Sequence, residues 1–371
     1  MPAAVPPSTD VLVVGAGPAG SAAAAWAAPA GHDVVLADAA VFPRDKTCGD
    51  GLTPRAIAEL DLLGLGDWVR GHARNRGLRA AGFGRQWELP WPGGHFPDHG
   101  SAVPRTELDA RIRQVAVDAG AVPVEAARAV DVVRDGDRVT GVVFELPDDR
   151  QVTVGCRRLV VADGVRSPLG RVLGREWHRN TAYGVAARSY VRSGRSDDEW
   201  ISSHLELRGA EGELLSGYGW VFPLGAAAGE VNLGVGTLAT ARRPAAVQLK
   251  ALLEVYAEAR REEWQLDGAV RDVASALLPM GGAVSGVAGR HLPRSRQRRP
   301  THRARREDPA DGGRLGCHPG RERPRGRRRA GRRSGHRRGL RGRRRRAVPH
   351  RLPPARRGRR RALAPGPGAG P

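Results

Sequence analysis

The chain has 371 residues, enough for two domains around a sizeable core, and a formal net charge of +22. That charge does not describe a nucleic-acid-binding body: from Arg290 onward there are 30 Arg and no Lys against four acidic residues, which leaves residues 1–289 with a net charge of −4. No apolar stretch reaches the ~18 residues of a membrane span, Met1–Pro7 lacks the basic and apolar segments of a signal peptide, and three Cys without a CxxC pair exclude a disulfide framework and a zinc site and fit a reducing cytoplasm.

Val11-Leu12-Val13-Val14 reads as a buried strand. Gly15-Ala16-Gly17-Pro18-Ala19-Gly20 follows directly, then an Ala-rich helical stretch shortened by Pro29, then a second strand, Val34-Val35-Leu36, ending at Asp38. This is the order of a βαβ dinucleotide unit. Gly15 permits the tight turn, Gly17 lets the backbone approach a pyrophosphate at the helix N-terminus, and Gly20 lets the helix pack on the strand. Asp38 can accept hydrogen bonds from ribose hydroxyls. A bare GxGxxG is a weak signal; its position between strand and helix, upstream of an acidic residue, makes it specific. NAD and FAD share this fingerprint, so the remaining motifs must choose between them.

A polar, Gly-rich loop comes next, from Phe42 through Arg44-Asp45-Lys46-Thr47-Cys48-Gly49-Asp50-Gly51 to Pro54. Trp87 and Trp91 mark either a structural loop or a membrane-facing lip. Ala102-Val103-Pro104-Arg105 opens a helix with Leu108, Ile112 and Val115 on one face. Val130–Val133 and Val139–Glu145 read as a hairpin around Asp135-Gly136. The strand Leu159-Val160-Val161 runs into Asp163-Gly164, either a simple turn or part of a nucleotide site. In Gly217–Pro223, Tyr218, Trp220 and Phe222 alternate and share one strand face. That face either packs in a core or lines a cavity for a flat ring or an apolar chain. A helix is expected over 245–264, and Leu277-Leu278 in a further strand before Gly281-Gly282. The eleven His show no ligand spacing, and no metal site is expected.

Together these motifs resemble the geranylgeranyl reductase family of flavoproteins. Phe42–Pro54 is nearly the wording of its bacterial menaquinone reductase branch. Tyr218-Gly219-Trp220-Val221-Phe222-Pro223 resembles the family's Tyr-x-Trp-x-Phe-Pro signature, with Gly234-Val235-Gly236 downstream and a spacer lengthened at Ala226-Ala227-Ala228. The likeness spans roughly residues 8–289. It implies an α/β plus α+β fold: a Rossmann-like, hydroxylase-type FAD-binding domain over 1–175, with 76–104 contributing to an antiparallel-sheet substrate domain over 176–289.

It further implies FAD as cofactor, held by Gly15, Ala16, Gly17, Pro18, Ala19, Gly20, Asp38, Cys48, Gly49, Asp50, Gly51, Arg105, Asp163 and Gly164. Tyr218, Trp220 and Phe222 would line the substrate site, and Cys48 and Tyr218 are the catalytic candidates. The implied reaction saturates an isolated C=C bond of a polyprenyl chain, of menaquinone or a geranylgeranyl group. The electron donor would be NAD(P)H or a ferredoxin-like protein. A bilayer-borne substrate implies a cytoplasmic protein in peripheral contact with the inner face of the membrane. One rival is an FAD-dependent monooxygenase or halogenase on the same fold; the halogenases' Trp-x-Trp-x-Ile-Pro motif differs at Tyr218 and Phe222. The other is an Arg-rich nucleic-acid binder, but irregular runs such as Arg343–Arg346 without aromatics predict no specific nucleic-acid partner.

Residues 290–371 are rich in Arg, Gly and Pro and contain no Phe, Trp, Tyr, Ile or Met, so they are expected to form a disordered tail. The resemblance implies that the segment after Gly289 should enter a strand ending in Gly-Asp-Ala, a second flavin motif. The composition instead changes abruptly at Arg290. A frame slip in a GC-rich gene produces such a break, and loss of the second motif implies weak or absent flavin retention.

Overall fold

The computed structural model describes residues 5–175, 182–240, 245 and 247–280. Gly281-Gly282, the segment to Gly289 and the Arg-rich tail lie outside the described residues, as do 1–4 and 176–181.

Strand β1 (Ser8–Val14), helix α1 (Pro18–Ala27) and strand β2 (Val34–Ala37) form the expected crossover unit, with Val11 of β1 opposite Val34 of β2 in parallel register. β2 is wholly buried and β1 is buried from Leu12 to Val14, because helices cover the sheet. α1 starts with Pro18, whose fixed φ suits the first helical turn.

The chain then passes through the 38–50 loop to β3 (Gly51–Leu52), α2 (Pro54–Leu62), α3 (Gly66–Arg70) and β4 (Ala73–Asn75). A hairpin, β5 (Gly77–Gly82) and β6 (Arg85–Pro90), leaves for a second sheet, and β7 (Gly100–Ala102) returns to pair with β3 and β4. α4 (Arg105–Asp118) buries Leu108, Ile112 and Ala116, four residues apart on one face.

β8 (Val122–Val124), β9 (Arg128–Asp135), β10 (Arg138–Glu145) and β11 (Gln151–Val161) complete the first sheet, followed by α5 (Pro168–Val172). Its order is β8-β2-β1-β11-β10-β9: a parallel core with an antiparallel arm. The arm is the expected hairpin, turning at Gly136.

The second sheet takes the later strands: β12 (Tyr183–Ser193), β13 (Trp200–His204), β16 (Gly217–Pro223) and β17 (Glu230–Ala239), with β14 (Leu207–Arg208) and β15 (Leu214–Leu215) forming a small ribbon between them. α6 (Leu249–Trp264) begins a turn later than the pattern indicated, and β18 (Leu266–Pro279) follows. The order is β18-β12-β17-β16-β13-β5-β6, antiparallel except where β13 meets β5. Two strands from 76–104, β5 and β6, thus belong to this sheet. Trp87 lies on β6 rather than in a loop, and Trp91 is fixed by donating its indole N–H to Asn75 Oδ1 at 2.8 Å.

Strand alternation gives this sheet two unlike faces. Ala187, Val191, Val221, Val231, Leu233 and Val235 pack against Leu252, Leu253, Tyr256 and Trp264 of α6 and its end as one dry core. The opposite face carries Arg188, Tyr190, Tyr218, Trp220, Phe222 and Asn232, the residues that meet the 42–54 loop. Leu253→Ala, in the centre of the dry core, is expected to destabilise the protein by about 2–5 kcal/mol. Leu205→Ala, at an exposed position, should cost less than about 0.5 kcal/mol. Urea unfolding of the two variants checks both.

Candidate active site

The Gly15–Gly20 loop has a shape that only glycine permits. Gly15 has φ +101°, and a Cβ there would strike the Ala162 carbonyl at the end of β11; a Cβ on Gly20 would strike the Gly15 carbonyl. The first turn of α1 holds neither a capping side chain nor an acidic residue, so its free amides face outward as an anion site. The Arg44 guanidinium stands beside Gly17. Asp38, at the end of β2, accepts from the Ala16 amide at 2.6 Å and the Ala40 amide at 2.8 Å. Its carboxylate therefore braces the glycine loop, and each oxygen keeps a lone pair for a further donor.

Asp163 follows the end of β11. Its carboxylate accepts from Ser167 Oγ at 2.5 Å and the Leu169 amide at 2.9 Å, closing the turn before α5. The side chain is thus a turn-former, while Ala162 alongside Gly15 puts Asp163-Gly164 next to the glycine loop.

The second part of the site is where the 42–54 loop meets the sheet. Gly49 and Gly51 lie directly under Phe222: a Cβ on either would sit 2.8 Å or 3.0 Å from its ring. Gly234 of β17 clears space for the Trp220 indole in the same way. Ring centroids are 5.8 Å apart for Tyr218–Trp220 and 6.3 Å for Trp220–Phe222. The structure therefore brings these three residues together with Cys48, Gly49, Asp50 and Gly51. Tyr218 is the open end of the row, 40% exposed.

Asn232 joins the two parts. Its Oδ1 accepts from the Trp220 indole at 2.9 Å, while its Nδ2 donates to the Cys48 carbonyl at 3.0 Å and to Asp50 Oδ2 at 2.7 Å. Asp50 Oδ2 also accepts from the Tyr190 hydroxyl at 2.7 Å. Asp50 is only 1% exposed, its backbone has φ 62°, and Oδ1 is buried with no hydrogen-bond partner. Burial pushes its carboxyl up to about 6, against the opposing pull of Tyr190, Asn232, Arg188 and Arg105. Burial and the neighbouring Asp50 raise the Tyr190 hydroxyl well above its ordinary value. Arg188, fully buried, pairs with Asp45, donates to the Asp272 carbonyl at 2.8 Å and stacks 4.4 Å over the Tyr190 ring.

On the other side of Cys48, Arg105 makes a two-pronged contact with Asp109 at 2.6 and 2.9 Å, and Arg44 reaches the same carboxylate at 3.0 Å. Burial opposes the Arg105 charge, but Asp109 and Cys48 hold its pKa above the usual arginine value. Burial lowers the Lys46 ammonium, with Arg105 and Arg44 adding to the effect. Three cations thus surround one buried carboxylate beside Cys48. The sequence reading missed Asp45, Asp109, Arg188, Tyr190 and Asn232. Arg188 and Asn232 were findable as polar residues inside otherwise apolar strands. A cavity of about 750 Å³ between α6 and β18, lined by Ala187, Leu249 and Val270 among others, opens on the other sheet face and is not part of this site.

The glycine loop tests well as a dinucleotide cradle, because each of its clearances would be filled by a single Cβ. Comparison with known proteins agrees. The FAD binding domain family matches residues 8–211. Menaquinone reductase of Mycobacterium tuberculosis is 61% identical over 282 residues, covering 76% of this chain and 68% of that protein. The Mycolicibacterium smegmatis menaquinone reductase is 63% identical over 281 residues, with 76% and 67% coverage. Digeranylgeranylglycerophospholipid reductase 1 of Methanopyrus kandleri is 32% identical over 248 residues, with 66% and 62% coverage.

The chain belongs to the geranylgeranyl reductase family of flavoproteins. A geranylgeranyl bacteriochlorophyll reductase-like protein of Thermoplasma acidophilum shares the fold of this family member at TM-score 0.64 and 23% identity, covering 76% of this chain and 69% of the other. The myxobacterial chondrochloren halogenase shares it at TM-score 0.60 and 21% identity, covering 74% and 65%. At those identities the two structures speak for the fold alone. FAD is the cofactor of this reductase-family chain, and its class is an FAD-dependent oxidoreductase acting on carbon–carbon double bonds.

Asp50 generates a pH prediction. Its folded pKa lies above the unfolded value of 3.8, so its protonated form favours the folded state. Its contribution is fully present below pH ~4 and lost as pH rises through about 6, amounting to about 3 kcal/mol. Urea unfolding between pH 4 and 7 should show stability falling with pH in the native chain more steeply than in Asp50→Asn, whose uncharged amide removes this component.

Proposed function

We propose that this chain reduces an isolated double bond in the polyprenyl tail of a quinone of the menaquinone type, in an FAD site built by the Gly15–Gly20 loop, the 42–54 loop and the aromatic face of β16. The observation that carries the reading is the seating of Tyr218, Trp220 and Phe222 against Gly49 and Gly51. An aromatic wall there closes on a glycine-cleared, cation-ringed loop beside a dinucleotide cradle, which suits a flat ring on one side and an apolar chain on the other.

In this reading the amides of the glycine loop and the N-terminus of α1 hold the pyrophosphate, and Asp38 takes the ribose with its spare lone pairs. Arg44, Lys46 and Arg105 supply positive charge beside Cys48. Asp163-Gly164 shapes the border of the loop through its backbone rather than its carboxylate. FAD supplies, when bound, the hydride that an isolated alkene takes on one carbon; the other carbon needs a proton. Tyr218 and Cys48 are the proton-bearing groups that border the aromatic wall, and burial raises the Tyr218 hydroxyl above its ordinary value. The wall itself orients the chain and excludes water.

A polyprenyl lipid resides in a bilayer, so the protein would meet it as a peripheral visitor. No helix among the described residues is long and apolar enough to cross a membrane. The electron donor is proposed as NAD(P)H or a ferredoxin-like protein.

The test is independent of that donor. The chain, FAD and menaquinone are incubated with dithionite without oxygen, then reoxidised in air to restore the quinone ring. Mass spectrometry should find two hydrogens added to the tail. A tail of unchanged mass, or a product that requires oxygen, would point to monooxygenase or halogenase chemistry. Gly15→Ala, whose Cβ would strike the Ala162 carbonyl, is expected to weaken FAD binding at least about tenfold, the equivalent of ~1.4 kcal/mol, by fluorescence titration.

A further inference from the structure

We infer that the outer end of the second sheet, the side of β6 that presents Trp87 and Leu89, is a docking surface for a lipid bilayer. The inference rests on the polyprenyl reading above and adds to it the place where the protein meets the membrane.

The sheet register carries the argument. Trp87 pairs with Ala80 of β5, Ala80 with Ser203 of β13, and Ser203 with Trp220 of β16. Residues paired across strands point to the same face, so Trp87 and Trp220 lie in one row, with only the small side chains of Ala80 and Ser203 between them. In the neighbouring row Leu89 pairs with Leu78, and Leu78 with Ile201. That row continues in register to Phe222. The face that meets the 42–54 loop at one end therefore runs, without a charged side chain in these two rows, to the open edge of the sheet.

The edge itself is bare. Trp87 is 53% exposed, Leu89 is 51% exposed, and Phe83 at the hairpin tip is 63% exposed. Arg79 and Glu88 lie on the other face, where Arg79 bridges Glu88 and Asp198, while Arg85, paired with Gly82 next to the hairpin turn, is the one charged residue of the hairpin strands on the face of Trp87 and suits the headgroup region. An uncovered apolar edge of this kind is a liability unless it has a use. A lipid surface fits it better than a second copy of the chain. An indole suits the bilayer interface, and a bilayer at this edge would let an apolar chain pass onto the sheet face without crossing water. A dimer sealed through this face would shut that path.

The test uses the full chain and phosphatidylcholine vesicles without quinone. The vesicles are neutral and the salt is high, so that attraction to the Arg-rich end is screened. Cosedimentation should show the native chain bound. Trp87→Ser with Leu89→Ser should lower the partition coefficient at least about tenfold, while Trp87→Phe with Leu89→Val should keep most of it. Gln86→Ser, on the other face, should change nothing. The serine pair should also leave reduction of a short-chain, water-soluble menaquinone analogue unchanged. Equal partition of the native and serine forms overturns the inference. So does a serine pair that changes only the oligomeric mass by light scattering, which would assign the edge to self-association. If the native chain binds vesicles but reduces no quinone tail, the surface stands and the polyprenyl reading falls. If it reduces the short analogue but ignores vesicles, the surface falls and that reading stands.

Discussion

Gly49 and Gly51 lie against the ring of Phe222, with no side chain between loop and sheet, and Asn232 locks the contact by holding the Trp220 indole with one end of its amide and the Cys48–Asp50 loop with the other. The rest of the site depends on this closure. The dinucleotide cradle belongs to the first sheet and the aromatic wall to the second. Among the described residues, the 42–54 loop, which leaves the crossover unit after β2, meets that wall. A methyl group at Gly49 or Gly51 would wedge the wall away from the loop, and an apolar side chain at 232 would strand the Trp220 N–H and leave Asp50 Oδ2 with Tyr190 alone.

The closure has an electrostatic cost that its surroundings answer only in part. Asp50 is buried with one oxygen well satisfied and the other without a partner. Tyr190, Asn232 and the Arg188 charge favour its anion, while burial opposes it. On the far side of Cys48 the balance is the reverse: Arg105 and Arg44 converge on Asp109, whose side chain is fully buried. The loop is thus held between an acid whose ionisation is opposed by burial and a carboxylate bound by two guanidiniums.

Local sequence rules made the first half of the site readable. GxGxxG between two apolar runs has one physical interpretation, and the structure gives it a cradle with clearances of a single Cβ. The alternation at Tyr218, Trp220 and Phe222 placed those rings on one face, because a strand has period two. The pattern could not say which face it was: the bland core reading and the cavity reading differ only in what lies opposite, and that is decided by the glycines at 49 and 51, some 170 residues earlier. Asn232 and Tyr190 escaped for the same reason, since a polar residue in an apolar strand signals a buried network without naming its partners. At Asp163 the pattern left a simple turn and a nucleotide-site role open, because an Asp after a strand suits both, and here its carboxylate is taken by Ser167 and the Leu169 amide. At Trp87 the sequence left a structural loop and a membrane-facing lip open; the residue lies on β6, an edge strand ending at Pro90, where proline is tolerated.

The most direct test of the account is a crystal structure of the chain with FAD. The account predicts the pyrophosphate at the N-terminus of α1, on the amides that follow Gly17, and the isoalloxazine beside Cys48 and Arg105, with the contact between Gly49 and Phe222 left closed. A ring bound instead in the cavity between α6 and β18, or a complex in which the loop and the Phe222 ring are forced apart, would contradict it.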